Sequence, residues 1–188
     1  MYKSYAATLT LACAAIAFTS GTANAEPFSG EYGGVQAGVV IFDEDRITIA
    51  GPSSGSSTEP TASLILGYRT PISGNSPIVV GIEGDLGAVT DSIDARFAVS
   101  GIAGYRIGES ALAYGRVGYT SISGLPDTNG TGAQQALTLG GGIEFALSDR
   151  LNLRADYRHE DFGTLVNFTD NVIDLKAHEI TAGLIYEF

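Results

Sequence analysis

Tryptophan is absent from the 188 residues, and cysteine and methionine each occur once, as Cys13 and Met1. Because Cys13 lies in an N-terminal segment that we expect to be removed, the mature chain has no thiol for a disulfide framework or a thiolate metal site. Basic residues are also scarce, since 10 Lys and Arg stand against 21 Asp and Glu. This surplus of negative charge argues against nucleic-acid binding, which requires cations that neutralise phosphates.

Long apolar runs are equally rare, and the clearest one, residues 6–18, lies near the N-terminus. Lys3 precedes it and Ala23-Asn24-Ala25 follows it, which is the pattern of a secretory signal cleaved after Ala25. A membrane-spanning helix is the alternative, but it needs about 20 apolar residues. We therefore predict a cleaved signal peptide at residues 1–25 and one domain at residues 26–188. Cleavage would remove one cation and none of the acids, so the net charge would change from −11 to −12.

Glycine, with 25 residues, is abundant, and 9 tyrosines and 8 phenylalanines accompany it. This composition favours closely packed strands over helices. Past the signal, apolar residues alternate with period two in eight segments of about ten residues, the length that a tilted membrane strand requires. In the third segment, Ile78 and Ile82 share one face, while Glu83 and Asp85 share the other. The predicted strands are residues 28–42, 61–70, 77–88, 95–107, 111–123, 135–147, 150–160 and 175–188.

Alternation alone also fits a soluble sandwich, or a ligand-binding barrel of lipocalin type whose apolar face points inward. An exported chain without a spanning helix can cross a membrane only as a closed barrel, because lipid offers no water to an open sheet edge. Short turns that alternate with long polar connections are the usual asymmetry of such barrels. The candidate turns are residues 71–76, 108–110 and 148–149, and the long connections are 43–60, 124–134 and 161–174. We therefore predict an all-β, eight-stranded, antiparallel up-and-down transmembrane barrel.

Four stretches of the sequence carry a family resemblance. They are VVGIEGDLG from residue 79, LAYGRVGYTS from residue 112, GGGIEFALSDRLNLRADYRHEDFG from residue 140, and the final HEITAGLIYEF. In these stretches the chain resembles the OmpA-like and opacity-type small outer-membrane barrels. The resemblance covers essentially the whole mature chain and implies the barrel domain alone, in the outer membrane of a Gram-negative bacterium.

The resemblance also implies specific roles for individual residues. The family keeps a few charged side chains inside its barrel, and an aromatic residue at the end of the last strand serves as a signal to the barrel-assembly machinery. A lysine that the family places in its fourth strand corresponds to Ile102 here, so that part of the internal network is altered. The matching internal residues are Glu83, Arg116, Glu144 and Arg154, and the terminal signal corresponds to Tyr186 and Phe188.

Residues that could perform chemistry are few. His159 and His178 are the two histidines, and we expect both to lie at the rim of the barrel as interfacial residues, with no catalytic role. The acidic run Asp43-Glu44-Asp45 is open to two interpretations, a solvated loop or a site that binds divalent ions and bridges to lipopolysaccharide. We expect no cofactor and no metal centre.

An eight-stranded barrel is only wide enough for side chains to fill its interior. The internal acids and arginines therefore favour a plugged barrel with a role in envelope integrity and in contact with a host or environmental surface through its loops. A small porin-like channel is the alternative, and it would require interior positions that are not filled. In either case the expected surroundings are outer-membrane lipid and lipopolysaccharide.

Overall fold

Eight antiparallel β-strands make up the fold. The computed structural model describes residues 27–48, 51–89, 93–123, 133–166 and 172–188. The predicted signal peptide, with Ala23 and Ala25, lies outside these residues. The strands are β1 (Gly30–Thr48), β2 (Gly51–Pro71), β3 (Ile78–Val89), β4 (Ile93–Ile107), β5 (Ala111–Ser123), β6 (Ala133–Ala146), β7 (Leu151–Val166) and β8 (Val172–Glu187).

Each strand pairs with its neighbours in the chain, and β1 pairs with β8 to close the barrel. The closing seam runs from Tyr32 opposite Glu187 to Ile47 opposite Val172. The short turns at residues 72–77, 108–110 and 147–150 lie at the end of the barrel where β1 begins and β8 ends, which we call the short-turn end. The predicted eight-stranded up-and-down barrel is therefore confirmed. None of the described residues forms a helix long and apolar enough to span a membrane.

Consecutive residues of a strand point to opposite sides of the barrel wall, because the side-chain period of a strand is two. Ile82 is 65% exposed on the outside, and the next residue, Glu83, is 1% exposed in the interior. The same contrast separates Leu153 from Arg154 on β7. The outer wall is thus a belt of aliphatic and aromatic side chains, and the buried charges lie inside.

The predicted long loop at residues 43–60 is instead a continuation of the first hairpin. Pairing between β1 and β2 extends without interruption to Thr48 opposite Gly51. Residues 52–58 are all exposed, so neither face of this ribbon is buried. The sequence pattern missed it because apolar alternation marks a strand only where one face is buried.

The predicted loop at residues 161–174 is also partly strand, because β7 continues to Val166 and β8 begins at Val172. The register between these strands shifts between Asp161 and Thr164, where Gly163 has a φ of +69°. Glycine adopts this left-handed conformation without steric cost, which permits the irregularity. Most of the third predicted loop, at residues 124–134, lies outside the described residues.

Candidate functional site in the barrel interior

The four predicted internal residues meet in the middle of the barrel, and all are buried. Arg154 lies between two carboxylates, with Nη1 at 2.6 Å from Oε2 of Glu83 and Nη2 at 2.6 Å from Oε1 of Glu144. Arg116 forms an ion pair with the other oxygen of Glu83 at 2.9 Å. The strand alternation places all four on the inner face, and the arginine forks then connect strands that are not adjacent.

Ile102, which the family resemblance matches to a lysine, is an interior residue that is 5% exposed. It lies opposite Arg116 in the β4–β5 register and packs in an apolar cluster with Val79 and Leu112. The position thus contributes apolar contacts to the interior where a lysine would have contributed charge.

The ionic contacts continue toward the short-turn end through Arg69, which was not predicted. Its guanidinium donates to both oxygens of Glu144 at 2.9 and 3.0 Å and to Glu187 at 2.5 Å. Asn152 donates to the same Glu187 oxygen at 2.9 Å. Arg69 therefore connects β2 with β6 and β8 across the interior.

The contacts also continue toward the opposite end of the barrel. Arg116 forms an ion pair with Asp156 at 2.6 Å, and Arg158 lies 3.5 Å from the other oxygen of Asp156. Arg158 donates to Asp85 at 2.9 Å, and Asp85 also accepts hydrogen bonds from Gln36 and Ser63, each at 3.0 Å. A second charged layer therefore lies directly above the four predicted residues.

Arg96 completes the uppermost charged layer. Its two terminal nitrogens contact Glu160 at 2.5 Å and Glu179 at 2.7 Å. Arg158 lies 3.6 Å from Glu179, which links this layer to the one below. The result is one connected network of five arginines and seven carboxylates among the described residues.

Two tyrosines fill the space around the lower arginines. Tyr32 donates a hydrogen bond to Glu83 at 2.8 Å, and its ring centroid lies 4.5 Å from the guanidinium carbon of Arg69. Tyr114 contacts Asp156 through its hydroxyl and lies 5.2 Å from the guanidinium carbon of Arg154. A Cβ at Gly67 would lie 2.3 Å from the ring of Tyr32, so glycine is needed there for close approach.

Apolar side chains close the interior at both ends. One buried apolar cluster lies beyond Arg96. It includes Val40, Phe42, Ile122 and Phe162. At the short-turn end, Phe28 is 1% exposed, belongs to a second cluster and lies beneath Arg69 at 5.4 Å. The charges are thus enclosed between two apolar layers.

Eight members of the network were missed by the sequence interpretation, which relied on the family's internal positions. The alternation had already placed Asp85 on the same face as Glu83, and strict application of period two to the seventh strand also identifies Asp156 and Arg158. The other five also lie within the predicted strands, at positions of the same inward-facing parity. The full set of missed residues is Arg69, Asp85, Arg96, Asp156, Arg158, Glu160, Glu179 and Glu187.

The two histidines lie together on the outside of the wall, with ring centroids 4.7 Å apart. The hydroxyl of Tyr157 lies 2.7 Å from Nδ1 of His178, and Asp43 lies 3.8 Å from its Nε2. They form an outward-facing cluster near the end of the lipid-facing belt, separated from the interior network by the barrel wall.

The acidic run at residues 43–45 does not converge on one point, because it lies in a strand. Asp43 and Asp45 are exposed on one side, while Glu44 points to the other side and pairs with Arg46 at 2.5 Å. Within the described ranges, no three His, Cys, Asp or Glu side chains are grouped so that they could hold a metal ion.

Comparison with solved structures finds small outer-membrane barrels of the same fold. Neisserial surface protein A is 19% identical, with a TM-score of 0.45, and the match covers 85% of this chain and 98% of that one. OprG from Pseudomonas aeruginosa is 10% identical, with a TM-score of 0.47, and the match covers 88% and 99%. Ail of Yersinia pestis, in complex with the heparin analogue sucrose octasulfate, is 14% identical, with a TM-score of 0.41, and the match covers 84% and 99%.

No curated protein sequence matches this chain significantly. The family model for the outer membrane protein beta-barrel domain, in contrast, matches residues 10–188, which is nearly the whole sequence. The family and the fold indicate the outer membrane of a Gram-negative bacterium, where the apolar outer wall contacts lipid and lipopolysaccharide. The chain therefore belongs to the outer membrane protein β-barrel family.

Proposed function

We propose that this protein is a sealed structural barrel of the outer membrane whose outer hairpins contact the environment. The observation that carries the proposal is the filled interior, where one ionic network connects Arg69 near the short-turn end to Arg96 near the other. Apolar side chains lie above and below this network. A porin-like channel would need a continuous path for water, whereas among the described residues paired side chains occupy the interior from Arg69 to Arg96.

The role of the network is structural in this proposal. Arg154 and Glu144 are both fully buried. A charge in this environment is stable only when it is paired and hydrogen-bonded, and removal of one partner from a buried pair costs about 3–5 kcal/mol. Opening a pore through the network would separate several such pairs at once. The same contacts that close the interior therefore also hold the strands in register.

The experiment compares Glu144→Ala with Glu109→Ala, a matched acid-to-alanine change in the exposed turn between β4 and β5. We expect Glu144→Ala to lower the thermal unfolding midpoint of the detergent-solubilised protein, measured by heat-modifiable migration on a gel, because Arg69 and Arg154 lose a shared carboxylate. Glu109→Ala should leave the midpoint unchanged. Conductance in planar bilayers should stay near zero for the native protein and for both variants.

A stable and well-resolved single-channel current from the native protein would refute the sealed barrel and favour the porin-like alternative. A Glu144→Ala midpoint equal to that of Glu109→Ala would refute the structural role of the network. The two outcomes are independent, because conductance tests whether the interior is sealed and the unfolding midpoint tests whether the network stabilises the fold.

The part of the barrel opposite the short-turn end supplies the surface for external contacts. The β1–β2 ribbon extends there with both faces exposed, and it carries Asp43, Asp45 and Glu59 beside the single cation Arg46. Its acidic character favours cationic partners, either divalent ions that bridge to lipopolysaccharide or basic groups of a host or environmental surface. Binding of purified barrel to such a surface should weaken as salt rises, because exposed charges are screened. Binding that does not change with salt would contradict this.

Export and assembly complete the proposal. Cleavage after Ala25 would leave Glu26 as the first residue, and mass spectrometry of the protein extracted from outer membranes should give the mass of residues 26–188. Tyr186 and Phe188 would mark the last strand for the barrel-assembly machinery, and their rings lie edge to face at 5.4 Å. Deletion of Phe188 should lower the yield of heat-modifiable barrel in cells. A full-length mass, or an unchanged yield, would contradict the respective assignment.

A further inference from the structure

An apolar groove of about 590 Å³ lies on the outer wall of the barrel, on the side formed by β1 to β4 and the end of β8. Its lining includes Gly33 and Gly84, both at outward-facing positions. The space over Gly84 is open, whereas Leu66 and Phe188 pack over Gly33. Its walls are outward-facing apolar side chains that belong to the lipid-facing belt. They are Leu64, Leu66, Leu86, Phe97, Tyr186 and Phe188.

The groove runs obliquely from the short-turn end into the membrane. Gly33, Leu66 and Gly84 are neighbours across three strands, because Leu66 pairs with both glycines. Gly33 lies three residues after the start of β1, whereas Phe97 lies ten residues before the end of β4. The short-turn end of outer-membrane barrels faces the periplasm. The groove therefore begins in the periplasmic leaflet, at Tyr186 and Phe188, and rises toward the middle of the bilayer at Phe97.

An exposed cation, Arg150, lies in the turn between β6 and β7, in contact with the groove-lining residue Tyr186. Nη1 of Arg150 donates to the hydroxyl of Tyr186 at 3.4 Å, and the carbonyl of Arg150 accepts from the amide of Glu187 at 2.8 Å. Tyr186 thus lines the groove and also contacts Arg150. Five of the chain's 10 Lys and Arg are buried in the interior. Arg150 is one of the exposed cations, and it contacts a residue that lines the groove.

We propose that this groove is a binding site for one anionic glycerophospholipid of the periplasmic leaflet. One acyl chain lies over Gly84, between the walls of the groove, and the phosphate pairs with Arg150. The volume lies within the range of about 300–1,000 Å³ that is typical of ligand sites. A guanidinium is well suited to a phosphate because its planar fork can donate two parallel hydrogen bonds.

The physics of the bilayer determines which contacts give selectivity. Lipid tails are as apolar as leucine, so the hydrophobic effect does not favour one acyl chain in the groove over its neighbours. Retention must come from close packing against the groove walls and from the charge-assisted contact at Arg150. A side chain that fills the groove should therefore abolish retention of the lipid. Neutralising Arg150 should remove the preference for an anionic headgroup.

Gly84→Leu tests the groove, because a Cβ at Gly84 has no neighbour closer than the carbonyl oxygen of Leu66 at 3.9 Å. The leucine side chain would enter the groove without strain in the wall. Gly101→Leu is the matched control, since Gly101 is also outward-facing and its nearest neighbour is a carbonyl oxygen, that of Val117, at the same 3.9 Å. Gly101 does not line the groove.

Native mass spectrometry of the folded barrel in detergent, with added palmitoyl-oleoyl phosphatidylglycerol, measures retention. We expect the native protein and Gly101→Leu to carry one phosphatidylglycerol, and Gly84→Leu to bind it at least ten-fold more weakly. Arg150→Gln should still retain lipid but should lose its preference for phosphatidylglycerol over phosphatidylcholine. Heat-modifiable migration establishes that each variant is folded, and Arg150→Gln, in an exposed turn, tests the proposal even if Gly84→Leu does not fold.

Three outcomes would overturn the proposal. The first is a broad distribution of lipid adducts on the native protein with no dominant single adduct. The second is equal retention by Gly84→Leu and Gly101→Leu. The third is displacement of phosphatidylglycerol by purified lipid A at equal concentration, which would assign the groove to the outer leaflet.

Discussion

Arg154 is the residue whose removal should affect the barrel interior most. It is fully buried, and it donates to Glu144 through Nε at 2.9 Å and Nη2 at 2.6 Å and to Glu83 through Nη1 at 2.6 Å. In Arg154→Met the flexible thioether occupies part of the space but offers no donor. Both carboxylates then keep one arginine partner each, Arg116 for Glu83 and Arg69 for Glu144.

The magnitude follows from these contacts. Removing one partner of a buried ion pair costs about 3–5 kcal/mol, and two carboxylates are affected here, so we expect the upper end of that range. The described network holds five arginines and seven carboxylates, so the loss of an arginine raises its excess negative charge from two to three. Glu144→Gln lowers that excess to one and keeps an acceptor, so it should cost less, about 1.5–3 kcal/mol for the weakened charged hydrogen bonds.

Urea unfolding in detergent micelles, followed by loss of the fast-migrating folded band, gives the free energy of unfolding for each variant. Arg46→Met is the control with the same change of residue, because the Arg46 side chain is 53% exposed in the outer ribbon and pairs only with its neighbour Glu44 among the contacts described. We expect the order Arg46→Met, Glu144→Gln, Arg154→Met in increasing destabilisation. If Glu144→Gln destabilises as much as Arg154→Met, charge balance does not govern the interior and the reasoning fails.

Two further substitutions address the packing around the network. Gly67→Val should lower the unfolding free energy by about 1–3 kcal/mol, the usual cost of overpacking, because its Cβ would lie 2.3 Å from the ring of Tyr32. Gly84→Ala, on the open outer wall, is the control, and equal stability of the two would contradict a packed interior. Phe28→Ala should destabilise by about 3–5 kcal/mol as a buried aromatic is lost. An unchanged thermal midpoint for Phe28→Ala would show that the short-turn end is not sealed by this ring.

Much of the membrane-embedded part could be predicted from the sequence. Period-two alternation identified all eight strands, because burial against lipid on one face and against charge on the other forces this pattern wherever a strand crosses the membrane. It failed beyond the membrane. The ribbon at residues 51–60 is polar and exposed on nearly every residue, so its strand conformation comes from pairing with β1, and no pattern in the residues themselves reveals that.

The sequence was sufficient to predict which residues point into the interior, but not which of them contact one another. Alternation assigns an inward direction to each charged residue, yet it cannot say which acid meets which arginine. Arg69 and Glu187 are separated by 118 positions and form their contact across the closed barrel. The groove lined by Gly33 and Gly84 has the same origin, since the two glycines come together only through the register of β1, β2 and β3.

The ionic contacts across the interior join strands from both ends of the chain, and this has a consequence for how the barrel forms. Arg69 on β2 can pair with Glu187, and Arg96 on β4 can pair with Glu179, only after β8 has joined the barrel. Before the seam between β1 and β8 closes, these side chains must remain hydrated, because bare charges are not tolerated in an apolar medium. We therefore expect the interior to lose its water when the seam closes. A barrel whose β1–β8 seam is still open should have a hydrated interior and should insert poorly into lipid.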